Sequence, residues 1–385
     1  MKVTGYRSLT TWHDWGRLIG DANGVMPEPC TDVQVLILRT DDGLEGVGLG
    51  PHADVDRVFG AVEGEDPRAV LALYDRMLNH VFKTGHSGAT FGAIGAIDMA
   101  LWDLKAKAAD EPLWRTIGAA DRFVPGYASG LDIALDDDAL VRLYERFAER
   151  GFTAAKLKGG HDVERDRRRL EAVRDVLGRN STRPALMFDA NESWNRSQAV
   201  RFVTALERTV DLSWVEEPVR RWDAAGLASV RSGIRAAVAT GENLTGLEQY
   251  RPLLDAEAVD IVQVGSVWGI THFLRLAAVA HARDLPVSPV AYHGNSLAHA
   301  AAAVPNHLVS EIQDLSWPVG LDVDQEIADG GIVLGDRPGL GIRVDEERIL
   351  AARALTPPPP VAGPHVRPAR AGLRLVPDPR TGELV

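Results

Sequence analysis

The chain has 385 residues, more than one average domain, and an ordinary globular balance of 25% charged and 45% hydrophobic residues. Its formal net charge of −12 excludes sequence-independent binding of nucleic acid, which requires a basic face. Cys30 is the single cysteine, and no stretch approaches 18 uninterrupted apolar residues, so we expect a cytoplasmic protein without disulfides and without a membrane partner.

Residues 1–125 are expected to form a separate α+β capping domain. Residues 31–50 (TDVQVLILRTDDGLEGVGLG) alternate around a Thr-Asp-Asp-Gly turn, which predicts a hairpin. Ahead of it, residues 11–24 predict a glycine-containing loop that either folds over a substrate as a lid or packs on its own domain. Residues 82–90 are a second candidate piece of this lid.

Helical periodicity predicts two helices in the first domain, over 65–82 and 90–110. In the second, an apolar stripe that includes Ile94, Ile97 and Leu101 is expected to face the core. Asp98 and Asp103 lie in the same helix. Charges within an amphipathic helix usually serve as caps, surface pairs or domain-interface bonds, so we interpret both as structural.

From about Val124 the chain alternates between strand-like and helix-length segments. The candidate strands are separated by 22 to 31 residues and begin near Gly126, Ala154, Ala185, Leu212, Ala237, Asp260, Leu285 and His307. Eight such units predict a (β/α)₈ TIM-type barrel over residues 126–345, with the active site at the C-terminal ends of the strands. After Gly341 the chain could return to the first domain, and residues 346–385 are expected to form a Pro-rich tail.

Three phrases in this repeat each deliver a carboxylate at or near the end of an apolar run: FDAN (188–191), WVEEP (214–218) and TGEN (240–243). The carboxylates are Asp189, Glu216 and Glu242, and the gaps between them are 27 and 26 residues, about one βα unit each. Carboxylates at the ends of successive barrel strands converge on one mouth. Because they repel one another there, a hard divalent cation with oxygen ligands is expected, and Mg²⁺ is the natural candidate.

One βα unit earlier, the predicted second strand ends in Lys156-Leu157-Lys158. Residues two apart on a strand point to the same side, here the barrel interior. Two neighbouring ammonium groups disfavour each other's protonation, which leaves one lysine available as a neutral amine that can remove a proton from carbon.

These motifs together resemble the enolase superfamily and, within it, the mandelate racemase-like subgroup (mandelate racemase/muconate lactonizing enzymes, including acid-sugar dehydratases). The resemblance covers residues 1–345 and includes AIDMALWDLKAK (96–107) and RPGLGI (337–342). It implies a modified, (β/α)₇β-like barrel, a homo-oligomer and one Mg²⁺ per subunit on Asp189, Glu216 and Glu242. It also implies Lys158 as the base, with Lys156 lowering its pKa, and Asn191 orienting the substrate or a ligand.

The implied chemistry is removal of the proton α to a carboxylate, which gives an enediolate that a divalent metal stabilises. Reprotonation from the opposite face gives racemisation or epimerisation. Loss of a β-hydroxyl with help from a general acid gives a 2-keto-3-deoxy acid.

The sequence departs from the subgroup on the opposite face of the site. Where the sixth strand usually carries an Asp, this chain has Gln263, Val264 and Gly265, and Asp260 is expected at the far end of the barrel. Val290 stands where the seventh strand commonly carries a His. His293, three residues later, either reaches the mouth or is structural.

The remaining candidates surround this mouth. Glu311 matches the subgroup's eighth-strand Glu that hydrogen-bonds the substrate carboxylate, and it would donate that bond if its environment protonates it. Trp268 should narrow the mouth, and Tyr292 is a further proton donor. The expected hydroxyl-binding side chains are Asn191, Asn243, His293, Asn295, Trp12, His13 and Arg17.

The leading hypothesis is a Mg²⁺-dependent lyase that dehydrates an aldonic or aldaric acid, a small carboxylate substrate. A racemase, epimerase or cycloisomerase on the same site is the first alternative. A Schiff-base aldolase is opposed by the three carboxylates, and borohydride trapping would test it. In a non-catalytic scaffold, loss of Lys158 would change nothing.

Overall fold

An antiparallel three-stranded sheet, in the order β1-β4-β5, begins the fold. The computed structural model describes residues 1–355; the expected Pro-rich segment 356–385 lies outside the described residues. The first strands are β1 (Val3–Asp14), β2 (Gly20–Asp21), β3 (Gly24–Val25), β4 (Cys30–Thr40) and β5 (Glu45–Leu49). The hairpin predicted over 31–50 is β4–β5 and is confirmed.

The prediction that 11–24 is a loop throughout is wrong at its start. Thr11–Asp14 continues β1, because β4 begins at Cys30 and pairs with β1 along its whole length, ending with Asp14 opposite Cys30. The segment that leaves the sheet is therefore 15–29, and it carries the small β2–β3 ribbon. We call residues 15–29 the lid.

The helices of this first region are α1 (Val55–Phe59), α2 (Val70–His80), α3 (Ala89–Ala108) and α4 (Leu113–Ile117). The second predicted helix is α3, but its expected amphipathic character is wrong, because residues all around it are buried. β5 packs so closely on α3 that a Cβ added at Gly48 would stand 1.9 Å from the carbonyl oxygen of Ala96. Glycine is required at this contact.

Asp98 and Asp103 hold α3 to other parts of the chain, as the structural interpretation predicted. The Asp98 carboxylate accepts hydrogen bonds from the backbone N–H of Thr271 at 2.8 Å and from its hydroxyl at 2.5 Å. Asp103 accepts from the backbone N–H groups of Val47 at 2.8 Å and Leu340 at 2.7 Å. Neither carboxylate faces the barrel mouth.

Eight parallel strands then close into a barrel. They alternate with seven helices as β6 (Phe123–Ser129), α5 (Asp137–Ala148), β7 (Ala154–Lys158), α6 (Val163–Leu177), β8 (Ala185–Asp189), α7 (Arg196–Leu206), β9 (Leu212–Glu216), α8 (Ala224–Gly233), β10 (Ala237–Thr240), α9 (Leu247–Asp255), β11 (Ile261–Gly265), α10 (Ile270–His281), β12 (Val287–Val290), α11 (Ala298–Ala301) and β13 (Ser310–Ile312). β13 pairs with β6, and a bridge between Val287 and His307 joins it to β12. The predicted modified (β/α)₇β barrel is confirmed.

After β13 the described chain continues as strands. They are β14 (Leu321–Val323), β15 (Gln325–Ala328), β16 (Gly331–Leu334) and β17 (Ile342–Val344), followed by α12 (Glu346–Leu355). This part contacts the first region as expected, because the Arg7 guanidinium lies 2.6 Å from the Glu346 carboxylate. The expectation that the tail begins at 346 is wrong for its first ten residues, which are helical. No helix within residues 1–355 is long and apolar enough to cross a membrane.

Candidate active site

Lys156 and Lys158 both point into the barrel, as strand alternation predicts. Tyr127, Met187 and Trp214 fill the barrel beneath them, and the Lys156 ammonium lies 5.4 Å from the centre of the Tyr127 ring. Both lysine side chains are buried. The two ammonium groups are therefore available only to groups at the barrel mouth.

The base candidate and two of the predicted metal ligands stand side by side on neighbouring strands. Lys158 is in register with Asp189 on β8, and Asp189 is in register with Glu216 on β9. The Lys158 ammonium pairs directly with the Asp189 carboxylate. Glu242 follows β10 by two residues and lies at the surface of the same mouth.

Lys156 is surrounded by carboxylates. Its ammonium contacts Glu216, lies 2.9 Å from Glu311 and lies 3.6 Å from Asp189. Burial alone lowers the pKa of Lys156, but attraction to Glu216 and Glu311 outweighs it, so the pKa is raised well above the ordinary value. Lys156 is a fixed positive charge in this arrangement.

Lys156 lowers the pKa of Lys158 as expected, but other charges raise it by more. Burial lowers the pKa of Lys158, and repulsion from Lys156 lowers it further. The attractions of Asp189, Glu311 and Glu216 together outweigh both effects, and the net pKa is raised. The expectation that Lys156 leaves Lys158 neutral is therefore wrong for this arrangement of side chains, because it did not include the ion pair with Asp189.

The positive charge of the lysines does not stabilise all the carboxylates of the mouth equally. Burial opposes ionisation of Asp189, but Lys158 and Lys156 outweigh it and lower its pKa. Burial raises the pKa of Glu216 and of Glu242, and repulsion among the carboxylates raises both further. Fixed donors also hold Glu216, which accepts from the Gln263 side-chain amide at 2.6 Å.

A charge count shows what this mouth can bind. In their ionised forms, four carboxylates (Asp189, Glu216, Glu242 and Glu311) exceed two ammonium groups (Lys156 and Lys158) by two negative charges. The raised pKa values of Glu216 and Glu242 show that this excess is unfavourable until a cation binds. Among residues 1–355, no three His, Cys, Asp or Glu side chains already stand together as a closed metal site, because lysines lie between the carboxylates. The charge deficit and the all-oxygen donor set both fit a hard divalent cation.

The environment of Glu311 favours its ionised form, so the condition under which it would donate a hydrogen bond is not met. Burial raises the pKa of its carboxyl, but Lys156 and Lys158 outweigh burial and lower it. Its second oxygen accepts from the backbone N–H of Ala291 at 2.9 Å and the side-chain amide of Gln313 at 3.0 Å. Glu311 therefore accepts hydrogen bonds and anchors Lys156.

The mouth opens into a cleft of about 710 Å³. Its lining contains the predicted residues Lys158, Asn191, Glu242, Asn243, Trp268, Tyr292 and His293. Glu217, expected from the sequence as a supporting residue beside Glu216, also lines it. Sequence reasoning missed further polar lining residues, which are Asp21, Asn23, Thr31, Asp32, Glu192, Arg220, Arg221, Ser266 and Gln313. Arg220 and Arg221 follow WVEEP after one residue, so their position soon after a strand end was a usable signal. Thr31 and Asp32 come from the distant hairpin and had none.

Four of the predicted binding residues do not line this cleft. Asn295 lies in the loop after β12, where its amide donates to the Gln325 side chain. Trp12 is buried in β1, where its carbonyl accepts from the Val319 N–H at 2.9 Å. Arg17 lies in the lid with its guanidinium carbon 5.8 Å from the centre of the Trp15 ring. His13 lies behind the cleft wall, in the aromatic cluster described below.

The lid covers the barrel on the side of Lys158. The Gly20 N–H donates to the Leu131 carbonyl at 2.9 Å, His161 contacts the Ala22 carbonyl at 2.9 Å, and the Asn23 amide donates to the Asn191 carbonyl at 2.9 Å. These contacts reach the loops after β6, β7 and β8 in turn. The second candidate lid segment, 82–90, contributes no residue to the cleft, and its His86 pairs with Glu248 at 2.6 Å.

Among the candidates for the opposite face, the structure brings His293 to the cleft. Its loop follows β12, which is separated from β7 by β6 and β13 around the barrel. Gln263 occupies an inward position on β11 but is engaged with Glu216. Asp260 lies at the opposite end of β11, as expected, and pairs with Arg231 at 2.7 Å.

Comparison with known proteins finds matches to both parts of the chain. Residues 30–118 match the family model described as the N-terminal domain of mandelate racemase/muconate lactonizing enzyme. Residues 139–348 match the model described as enolase C-terminal domain-like.

Two curated relatives and one solved structure illustrate the similarity. A 3,6-anhydro-α-L-galactonate cycloisomerase from Streptomyces coelicolor is 31% identical, over 86% of this chain and 94% of the relative. An L-talarate/galactarate dehydratase from Salmonella typhimurium is 34% identical, over 83% of each. The crystal structure of a racemase from Streptomyces coelicolor with bound magnesium superposes with a TM-score of 0.82 at 29% identity, over 91% of this chain and 99% of that one.

Proposed function

The chain belongs to the mandelate racemase/muconate lactonizing enzyme family of the enolase superfamily, and from this we propose that it dehydrates an aldonic or aldaric acid to a 2-keto-3-deoxy acid. The family makes it a metal-dependent lyase or isomerase that acts on a small acid-sugar substrate. The observation that carries the finer proposal is the alignment of Lys158, Asp189 and Glu216 across three adjacent strands below one cleft.

Asp189, Glu216 and Glu242 would hold one Mg²⁺. Their oxygen donors suit this cation, and the two uncompensated negative charges of the mouth match its charge. When bound, Mg²⁺ supplies positive charge to the oxygens of the substrate carboxylate. Glu217 adjoins this set, and its carboxylate accepts from the Asn243 amide at 3.0 Å, which suits a supporting role.

Lys158 is the proposed base in the metal-loaded site: with Asp189 committed to the cation, burial and repulsion from Lys156, which both lower the pKa of Lys158, would favour its neutral amine. It is the lysine of the pair that lines the cleft, whereas Lys156 is enclosed by Glu216 and Glu311. It removes the α-proton, and the electron pair of the C–H bond passes to the carboxylate oxygens as the enediolate forms. Lys156 and its carboxylates keep the floor of the site in place.

His293 is the proposed acid on the other face. When the β C–O bond breaks, the departing oxygen takes a proton from His293 and leaves as water. The resulting enol rearranges to the 2-keto-3-deoxy acid. Asn191 and Asn243 line the same cleft and are placed to bind substrate hydroxyls.

Cycloisomerisation is the second candidate. It is favoured by the cycloisomerase relative, which this chain matches over 86% of its length. The two reactions share α-proton removal by a base and protonation of an oxygen that leaves carbon. They differ in whether that oxygen is a hydroxyl or part of a ring.

Proton NMR in D₂O with Mg²⁺ would test the proposal on a panel of aldonic and aldaric acids together with their lactone and anhydro forms. We expect a new 3-deoxy product from at least one open-chain acid. A product only from cyclic acids would establish cycloisomerisation instead. Epimerisation without a new carbon skeleton would contradict both.

A further inference from the structure

His293 does not stand alone at the cleft wall. Its ring packs against His13 of β1, with ring centres 4.7 Å apart and planes tilted by 36°. Trp15 of the lid lies across both imidazoles, 4.6 Å from His13 and 5.8 Å from His293. Tyr292 closes the remaining side at 5.0 Å.

His13 is tied in turn to an acid. Its Nε2 lies 2.7 Å from the Asp314 carboxylate, in the segment that follows β13. Burial opposes ionisation of Asp314, but hydrogen bonds from His13 and Ser316 outweigh it, and the pKa of Asp314 is lowered. An ionised carboxylate at this distance accepts a hydrogen bond from Nε2–H of His13, which leaves Nδ1 as the ring atom that faces away from Asp314.

The other ring nitrogen of His13 is left open. His13 is 1% exposed, and its Nδ1 has no hydrogen-bond partner among residues 1–355. A small cavity of about 20 Å³ adjoins it, lined by His13, Tyr292, His293 and Asp314 among others. A polar space of this size holds one water molecule, which could bridge the two imidazoles.

His293 by itself is a poor proton donor. Burial and the neighbouring His13 lower its pKa to about 3, so the ring is neutral near pH 7. A neutral imidazole gives up a proton readily only if another proton reaches its second nitrogen at the same time.

From this geometry we propose that Asp314 and His13 form a proton relay that crosses from the barrel to the capping sheet and resupplies His293. A proton leaves His13 Nδ1 and reaches the near nitrogen of His293 through the intervening water, while the far nitrogen of His293 protonates the departing oxygen. His13 is left neutral and bonded to Asp314, and solvent restores its proton. The inference rests on the proposed function, because it supplies the acid which that function requires.

This arrangement replaces, with different residues, the Asp–His pair that the sequence lacks on the sixth and seventh strands. Its members come from β1, the loop after β12 and the segment after β13. Asp314 and His13 touch neither substrate nor metal in this scheme. They are positioning residues that act through His293.

The first test is ¹⁵N NMR of the histidine side chains in the Mg²⁺-loaded protein, which needs no substrate. Asp314→Asn and His13→Gln should each change the tautomer or the titration of His293. Besides Asp314, the titratable or charged groups around the two rings are Tyr292 and Arg17. Asp314→Asn therefore removes the carboxylate beside His13 and leaves these other groups in place. Unchanged His293 signals in both variants would overturn the relay.

A matched control is available elsewhere in the chain. His86 also pairs through its Nε2 with a carboxylate, that of Glu248 at 2.6 Å, but this pair lies outside the cleft. Glu248→Gln should leave the His293 signals and turnover unchanged. Thermal melting and Mg²⁺ titration of every variant show whether the fold is kept.

The second test measures removal of the α-proton and formation of product separately. Its substrate is the acid that is turned over fastest in the panel, to which galactarate is added. In Asp314→Asn, exchange of the α-proton with D₂O should stay within about threefold of wild type. Product formation should fall on the order of 10²-fold, the usual contribution of a positioned acid. Equal loss of both, or loss of neither, would contradict the relay. Absence of exchange in the wild type would instead defeat the proposed function, and the NMR test of the relay would still stand.

Discussion

Two sets of buried carboxylates in this chain show how the surroundings decide the role of an acid. Asp98 and Asp103 on α3 are fully buried, as are Asp189 and Glu216 at the barrel mouth. The first two accept hydrogen bonds from backbone N–H groups of other segments, which cannot move away. The second two pair with lysine ammonium groups of a nearby strand, below an open cleft. An acid enclosed by backbone donors is structural, whereas an acid paired with a side-chain ammonium group beside a cleft can exchange that counter-charge for a ligand.

The difference also appears in the charge balance. Thr271, at the start of α10, donates both of the hydrogen bonds to Asp98, and Asp103 has Lys107 at 2.7 Å as its own counter-charge. The barrel mouth keeps two negative charges more than its lysines supply. Binding is therefore expected at the mouth and not on α3.

The largest expected effect comes from removing the Lys158 ammonium group, which lines the cleft. Lys158→Ala should lower kcat by about 10⁴-fold or more, because the base is lost together with its pairing to Asp189. Steady-state kinetics would measure it, with the exposed Lys83→Ala as the control. Turnover within tenfold of wild type would show that Lys158 is not the base.

Next in size is the effect on metal affinity. Asp189→Asn should weaken Mg²⁺ binding by more than about 100-fold. Loss of a residue that only supports a ligand weakens binding by up to about 100-fold, and loss of a direct ligand should weaken it more. Isothermal titration calorimetry would measure it. Asp260→Asn, at the far end of β11, is the control and should bind Mg²⁺ as the wild type does. Equal affinities for all three proteins would refute the assignment of Asp189.

On α3 the effect should fall on stability and not on chemistry. Asp98→Ala should lower the free energy of unfolding by about 1–3 kcal/mol, because the buried N–H and hydroxyl of Thr271 lose their acceptor. Denaturant unfolding would measure it, with exposed Asp175→Ala changing stability by less than about 0.5 kcal/mol. If kcat of the folded Asp98→Ala protein fell like that of Lys158→Ala, the comparison would fail.

The same carboxyl group, that of Asp98, should also give stability a pH dependence. Burial, opposed in part by the bonds from Thr271, raises its pKa from 3.8 to about 7. The folded state then holds a proton that the unfolded state has lost between these values, so stability falls as pH rises from about 4 to 7. The difference in unfolding free energy between wild type and Asp98→Asn should shrink or reverse over this range. A constant difference from pH 4 to 8 would contradict the shift.

Local sequence patterns predicted much of the fold and many of the residues at the floor of the site. The strand repeat gave the barrel, and strand alternation placed Lys156 and Lys158 on the interior. Strand ends placed Asp189, Glu216 and Glu242 at the mouth. Each of these inferences depends on residues close together in sequence, where periodicity is informative.

The features that could not be predicted depend on contacts between residues that are far apart in the sequence. β1 extends through Asp14 only because β4 lies beside it. Glu311 is ionised because Lys156 lies 2.9 Å away, from the opposite end of the barrel sequence. The cluster of His13, His293 and Asp314 joins three separate segments, and no local pattern marks it.

Deuterium exchange at the α-carbon tests the central claim most directly. The wild type with Mg²⁺ in D₂O should exchange the α-proton of at least one aldonic or aldaric acid, and Lys158→Ala should not, although it still binds Mg²⁺. Exchange that persists in Lys158→Ala, or that continues in the wild type after a chelator has removed the metal, would contradict the account.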